Sequence, residues 1–161
     1  MNNELIIKTA TKKDIPLILS FIKQLAEYEK LSSSVTATEE LLEKSLFGKK
    51  PVCECVIGYF ENEPVCFALF FHNFSTFVGK PGLYLEDLFV LPTQRGKGFG
   101  KTMLKYLIQL AKDRDCGRFE WSVLSWNTSA INFYKSLGAE LMDEWQIFRI
   151  TNDKFNNSLS S

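Results

Sequence analysis

The chain has 161 residues, 45% of them hydrophobic, and its 19 lysines and arginines equal its 19 aspartates and glutamates. This length and composition predict a single domain, residues 1–161, with a substantial core. A net charge of zero argues against a general nucleic-acid-binding protein, and no apolar run is long enough to cross a membrane.

The cysteines and the first five residues indicate in which cellular compartment the protein is expected. Three of the four cysteines, Cys53, Cys55 and Cys66, lie in apolar strand-like runs, and the spacing of all four lacks a metal-binding pattern. We therefore expect reduced core thiols and no metal. Residues Met1 to Leu5 form no basic, apolar leader, which favours a cytoplasmic protein without a membrane partner.

The first third of the chain predicts a strand and two helices. Leu5 to Thr9 is a short strand, and the helix after it has Pro16 in its first turn and apolar residues at helical spacing. Tyr28 and Glu29 end that helix, where the residues alone indicate a solvated terminus. A second helix begins at Thr38-Glu39 and is closed by Gly48.

The middle of the chain is rich in β-formers. Val52 to Phe60 and Pro64 to Phe71 predict a hairpin, and Leu83 to Val90 is apolar on both faces, as in a strand covered on both sides. Glu86 and Asp87 interrupt this last run. In a regular strand they would point to opposite faces. The alternative is an edge strand, or one that ends early, with both carboxylates in water.

A glycine-rich turn follows that strand and precedes an amphipathic helix. Gly96, Gly98 and Gly100 would let backbone N–H groups at the helix start approach a phosphate. A Walker loop is excluded because Arg95 replaces its first glycine, and a dinucleotide fingerprint is excluded because Lys101 replaces its last. The pattern that remains is R-x-x-G-x-G.

The last third predicts a strand at Arg118 to Leu124 and a short helix from Ser129 to Leu137. Residues 139–142 and 145–150 are expected to form a closing hairpin. The polar tail from about residue 152 is expected to fray. No internal repeat or linker indicates a second domain.

Four stretches carry a resemblance to a known family: R-x-x-G-x-G beginning at Arg95, Tyr84-Leu-Glu-Asp87, Trp126-Asn127 with Ile131-Asn-Phe-Tyr-Lys-Ser-Leu-Gly-Ala139, and Leu25-Ala-Glu-Tyr-Glu29. Together they resemble the GNAT superfamily of N-acetyltransferases, within it the diamine branch of spermidine/spermine and thialysine acetyltransferases. The resemblance covers nearly the whole chain. It implies an α/β GNAT fold, with a mixed central sheet of about six or seven strands, about four flanking helices, and a splayed, bulged central strand.

The resemblance also implies acetyl-coenzyme A as the co-substrate. Its diphosphate would lie on the glycine loop, and its thioester carbonyl would lie against backbone N–H groups at the end of the central strand. A third contact would come from the start of the late helix, where Asn127 could otherwise merely cap the helix. The cofactor-binding residues implied are Leu88, Phe89, Val90, Arg95, Gly96, Lys97, Gly98, Phe99, Gly100, Lys101, Asn127, Thr128, Ser129 and Ala130.

Amine acetylation requires removal of a proton from an ammonium group, because the protonated nitrogen has no lone pair for attack. Glu86 is the candidate base. The matching family tyrosine makes Tyr134 the candidate acid for the departing thiolate, although a tyrosine on an amphipathic helix usually packs in a core. Tyr28, Glu29, Glu86 and Asp87 would bind a small cationic amine. We expect direct transfer in a ternary complex.

One departure from the resemblance concerns the substrate. Spermidine/spermine enzymes tend to carry Asp-Pro-Trp where this chain has Ser75-Thr-Phe-Val-Gly-Lys80, a pattern closer to the thialysine type. A small primary amine remains the expected substrate, and the resemblance implies a homodimer. A protein or peptide N-acetyltransferase and a non-catalytic acyl-coenzyme A-binding module are the alternatives, and the presence of Tyr134 and Glu86 favours an enzyme.

Overall fold

A computed structural model describes residues 4–159, apart from the side chain of Asn157. The described residues form two compact units, the first ending at Ser122 and the second beginning at Val123. The first unit contains a five-stranded sheet in the order β1-β2-β3-β4-β5, antiparallel except for the parallel β4–β5 pair. The strands are β1 Ile6–Thr9, β2 Glu54–Phe60, β3 Glu63–Ser75, β4 Lys80–Val90 and β5 Arg118–Trp121.

Local sequence signals account for the helix boundaries. Thr11 and Asp14 form a capping box before α1, which has a proline in its first turn. The Thr38 hydroxyl accepts from the N–H of Leu41 at 3.3 Å to start α2. The α/β class is therefore confirmed. The helices are α1 Ile15–Tyr28, α2 Glu39–Phe47, α3 Phe99–Asp113, α4 Thr128–Ser136 and α5 Phe155–Leu159.

The α1 helix packs on one face of the sheet. Phe21 of α1 stacks on Phe67 of β3 with ring centroids 5.2 Å apart, and Phe89 of β4 lies 6.2 Å from Phe21. These rings are fully or almost fully buried, and each contributes about 2–3 kcal/mol of burial free energy. The core therefore fixes α1 against the middle strands, which positions the end of α1 beside β4.

The sheet has five strands rather than the six or seven expected. Residues 139–150, where a closing hairpin is predicted, contain no strand among the described residues. The turn of that hairpin is present, since the N–H of Trp145 donates to the C=O of Met142 at 3.2 Å. A two-stranded hairpin without a third strand is marginally stable in water, and the second unit contains no strand between residues 123 and 159 that could be the third.

The tail predicted to fray is helical where it is described. Residues Asn152–Lys154 form a 3-10 turn and α5 follows it directly. Short-range bonds such as Lys154 N–H to the Thr151 carbonyl, at 2.9 Å, need no tertiary partner. No helix between residues 4 and 159 combines the length and apolarity needed to span a bilayer. All four cysteines are free, and Cys55 and Cys66 are buried.

Candidate active site

The central strand β4 contains a bulge at Glu86. Its neighbour Leu85 lies opposite Phe70 of β3, and Asp87 lies opposite Leu69, so two adjacent β3 residues face β4 residues that are two apart. Glu86 is the extra residue. Because one inserted residue shifts the alternation of side chains, Leu85 and Asp87 no longer share a face.

Contacts made by the β3 residues show on which face of the sheet the paired β4 side chains lie. Leu69 belongs to the core cluster under α1, so Asp87 opposite it lies on the α1 face. Phe70 lies 6.0 Å from the guanidinium of Arg114, which caps α3, so Leu85 lies on the α3 face. The pairing thus fixes the faces of Leu85 and Asp87, and Glu86 at the bulge lies close enough for its charge to raise the pKa of Asp87.

Three carboxylates form what we call the acidic cluster: Glu29, Glu86 and Asp87. Burial first, and then the charges of Glu86 and Glu29, together raise the pKa of the half-buried Asp87 carboxyl to about 6. Burial also raises the pKa of Glu29. No three His, Cys, Asp or Glu side chains in residues 4–159 are placed to hold a metal ion. The negative charge of the cluster favours a cation.

The end of α1 is held in a costly conformation. Lys30, just past the C-cap residue Glu29, has φ of 61°, in the left-handed region that glycine normally occupies. Such a residue costs roughly 1–3 kcal/mol. The N–H of Leu31 donates to the carbonyl of Ala26 at 2.7 Å and closes the turn. This turn fixes Tyr28 and Glu29, the two residues of α1 and its C-cap that the resemblance assigns to amine binding.

The two halves of β4 differ in their partners. The parallel ladder with β5 ends at the pair Leu85–Trp121, so residues 86–90 have no strand on that side among the described residues 4–122 of the first unit. The splayed, bulged central strand that the resemblance implies is therefore confirmed, with the bulge at Glu86. An open strand edge provides main-chain donors for a ligand.

The hydrogen-bond pattern identifies these donors. Leu91 N–H donates to the Val65 carbonyl at 2.9 Å, on the β3 side. Because alternate residues of an antiparallel strand point to opposite edges, the N–H groups of Leu88 and Val90 point away from β3. Consistently, the Val90 carbonyl accepts from Nε of Arg95 at 3.1 Å. The expected N–H groups near Leu88 and Val90 thus face the open edge.

The glycine loop opens α3 with main-chain donors that have no acceptor within the helix. Gly96 and Gly98 have φ of 80° and 84°, and no atom lies within 4 Å of where a Cβ on either would stand. The first bond of the helix runs from Thr102 N–H to the Gly98 carbonyl at 3.0 Å. The N–H groups that precede it have no acceptor within the helix and can receive an anion. They belong to Phe99, Gly100 and Lys101.

Two basic side chains of the loop are engaged within the protein. Lys97 donates to Oε1 of Gln94 at 2.7 Å and lies 5.1 Å from the ring centroid of Phe60. Arg95 lies over the ring of Tyr28 at 4.3 Å. The loop therefore presents its backbone to a ligand.

The remaining predicted residues lie in the second unit. The Asn127 side chain accepts from the N–H of Ala130 at 3.2 Å and caps α4, so the helix-cap alternative is observed. Thr128 and Ser129 are exposed, and Tyr134 is half-buried with its ring 5.5 Å from that of Phe133. Cofactor contacts of residues 127–130 and the acid role of Tyr134 stay predictions. The first unit brings together the acidic cluster, the open edge and the glycine loop.

Comparison with known proteins bears on these features. Residues 21–139 match the model described as the Acetyltransferase (GNAT) family. A thialysine N-epsilon-acetyltransferase of Sus scrofa is 37% identical and covers 89% of this chain and 91% of its own. An L-ornithine N5-acetyltransferase of Arabidopsis thaliana, NATA1, is 31% identical and covers 91% and 84%.

A solved structure agrees with the sequence relatives. An integron cassette protein from V. cholerae superposes with a TM-score of 0.80 at 28% identity, over 98% of both chains. The family match spans most of the chain and includes the bulged strand and the glycine loop. This chain therefore belongs to the Acetyltransferase (GNAT) family.

Proposed function

We propose that this enzyme moves an acetyl group from acetyl-coenzyme A to the side-chain amine of a small lysine-like or ornithine-like amino acid. The observation that carries the proposal is the acidic cluster, in which the charges of Glu86 at the bulge and of Glu29 act on the half-buried carboxyl of Asp87. A cluster of this kind attracts an ammonium group. The open edge of the same strand and the glycine loop supply donors for an acyl-coenzyme A.

The cofactor would be held mainly by backbone groups. The N–H groups at the start of α3 would receive the diphosphate, helped by the helix dipole. Leu88 and Val90 offer N–H groups toward the thioester carbonyl, where they would stabilise the negative charge that develops on oxygen. Residues 127–130 of the second unit complete the predicted cofactor contacts, on the strength of the family resemblance.

In the proposed reaction, Glu86 takes a proton from the substrate ammonium, directly or through a water molecule. The free amine nitrogen attacks the thioester carbonyl carbon, forming a carbon–nitrogen bond. The carbon–sulfur bond then breaks, and the departing thiolate takes a proton from the hydroxyl of Tyr134. The amide nitrogen gives up its extra proton through water to restore that hydroxyl, and Glu86 releases to solvent the proton that it took. The enzyme forms no covalent intermediate, because the substrate supplies the nucleophile.

Two observations support a basic amino acid rather than a polyamine. The named activities of the two sequence relatives are acetylation of thialysine at N-epsilon and of L-ornithine at N5. The segment Ser75 to Lys80 carries no acidic side chain for a distal ammonium, and its Phe77 is 95% exposed. A homodimeric, cytoplasmic enzyme is the expectation that accompanies this proposal.

Thiol release tests the proposal. Purified protein is mixed with acetyl-coenzyme A and, separately, thialysine, lysine, ornithine, spermidine and a lysine-containing peptide. We expect the basic amino acids to give the highest kcat/KM. Faster turnover of the peptide would indicate a protein or peptide acetyltransferase. Binding of acetyl-coenzyme A by calorimetry without release from any amine would indicate a non-catalytic binding module.

A further inference from the structure

The side chain of Arg95 joins two parts of the first unit. Its guanidinium carbon lies 4.3 Å from the ring centroid of Tyr28, the last residue of α1, and 5.7 Å from that of Phe89. Its Nε donates to the carbonyl of Val90 at 3.1 Å, at the end of β4. Both ring distances fall within the range of a cation–π interaction. One side chain thus holds the end of a helix, the end of a strand and the first position of the glycine loop.

These contacts bear on how a diphosphate is bound. An arginine at the start of an anion-binding loop is expected to use its charge on the anion. Here the guanidinium is stacked on Tyr28 and hydrogen-bonded to the main chain, whereas the N–H groups at the start of α3 remain available. The N–H groups at the start of α3 are therefore the groups placed to bind the anion, and the Arg95 side chain has a different role.

That role concerns the part of the site that would bind the amine, namely the acidic cluster. Tyr28 directly precedes Glu29, whose charge reaches Asp87 and contributes to the raised pKa of that carboxyl. The turn after α1 contains a left-handed Lys30, a costly conformation that persists because surrounding contacts hold it. Arg95 supplies such a contact from the loop that opens α3.

We propose that Arg95 is a positioning residue for the amine substrate, acting through Tyr28 to hold Glu29 at the acidic cluster. This inference rests on the proposed acetyltransferase function. Arginine suits the position because a planar guanidinium can lie flat on a ring while Nε donates sideways to a carbonyl. A lysine ammonium carries the same charge but cannot make both contacts in that geometry.

The test compares Arg95→Lys with Arg95→Met in steady-state kinetics and in calorimetric titration with acetyl-coenzyme A. We expect both variants to raise the KM for the amine about fivefold, the scale of one cation–π contact, with kcat and the Kd of acetyl-coenzyme A changed less than about twofold. The result that would overturn the inference is a normal amine KM in the Lys variant with a weakened cofactor Kd in the Met variant. That result would make Arg95 a phosphate-binding charge.

A double-mutant cycle identifies the partner. Tyr28→Leu should raise the amine KM about as much as Arg95→Met, and the double variant should be little worse than either single one, because both remove one contact. Tyr28→Phe keeps the ring and should keep the coupling to Arg95. Fully additive effects would refute the inference, as would loss of the coupling in Tyr28→Phe.

The same experiments separate the two proposals. In one case the unaltered protein releases thiol with a basic amino acid, but Arg95→Lys has a normal amine KM and Arg95→Met has a weakened cofactor Kd. Only the inference about Arg95 then fails. If the unaltered protein binds no acetyl-coenzyme A, the proposed function fails and the inference falls with it. Thermal unfolding of each variant shows whether the first unit remains folded, and Arg95→Lys is the least disruptive of the set.

Discussion

Replacing Asp87 by asparagine should make the protein more stable while it impairs the amine site. The folded state raises the pKa of this carboxyl from 3.8 to about 6, chiefly through burial and secondly through Glu86 and Glu29. An acid whose folded pKa lies above its unfolded pKa binds its proton more tightly in the native state. Its contribution to stability is therefore complete below about pH 4 and is lost as the pH rises through about 6.

The magnitude follows from the displacement of the pKa. A change from 3.8 to about 6 corresponds to about 3 kcal/mol in the free energy of unfolding. Asparagine is close in shape and neutral at every pH. Asp87→Asn should thus gain up to about 3 kcal/mol at about pH 8 and almost nothing at about pH 4. Glu86→Gln should give a smaller gain, because it removes only the second cause of the raised pKa.

The assay is urea unfolding of the unaltered protein and of each variant at several pH values between about 4 and 8. Glu63→Gln, at an exposed carboxylate that begins β3, is the matched control and should change the free energy of unfolding by less than about 0.5 kcal/mol. The amine KM of Asp87→Asn should rise about tenfold or more through loss of a cation partner. A variant less stable at about pH 8, or a gain independent of pH, would refute this account of the cluster.

Three further substitutions test other parts of the site. Gly98→Val should lower acetyl-coenzyme A affinity at least about tenfold in calorimetry, because φ of 84° strains a branched residue and a side chain would enter the anion site. Tyr134→Phe should reduce kcat about a hundredfold with the cofactor Kd nearly unchanged, and equal turnover would remove Tyr134 from the mechanism. Asn127→Ala should cost about 1 kcal/mol of unfolding free energy through loss of the α4 cap, which Asn127→Asp should restore.

Features governed by neighbours in sequence were predictable. The cap at Thr38, the helix stop at Gly48 and the hairpin of β2 with β3 each depend on a few adjacent residues, and the structure has all three, with the hairpin turn at Glu61 and Asn62. The glycine loop was predictable for the same reason, since φ above zero at Gly96 and Gly98 favours one residue type. The expected hairpin over residues 139–150 failed because pairing depends on a third strand, which alternation within one segment does not reveal.

Contacts distant in sequence set the site's finer geometry. The sequence places Arg95 at the head of a phosphate loop, but its stacking on Tyr28 joins residues far apart in the chain. The bulge at Glu86 likewise depends on how β3 pairs with β4. Two adjacent carboxylates in an otherwise apolar strand were the one available signal for it. A regular strand would bury one of them on each face, and burying an unpaired charge is costly.

At the bulge, the cost of burying charge at Asp87 favours binding of a cationic substrate. By placing Asp87 on the α1 face, within reach of the charges of Glu86 and Glu29, the bulge concentrates negative charge where burial already opposes ionisation, and the folded state bears the resulting repulsion. An ammonium group that enters the cluster relieves the repulsion and lowers the pKa of Asp87 toward its ordinary value. The free energy that destabilises the empty protein near neutral pH is thus the same free energy that a cationic amine recovers on binding. A cluster redesigned for stability would for this reason bind its substrate less tightly.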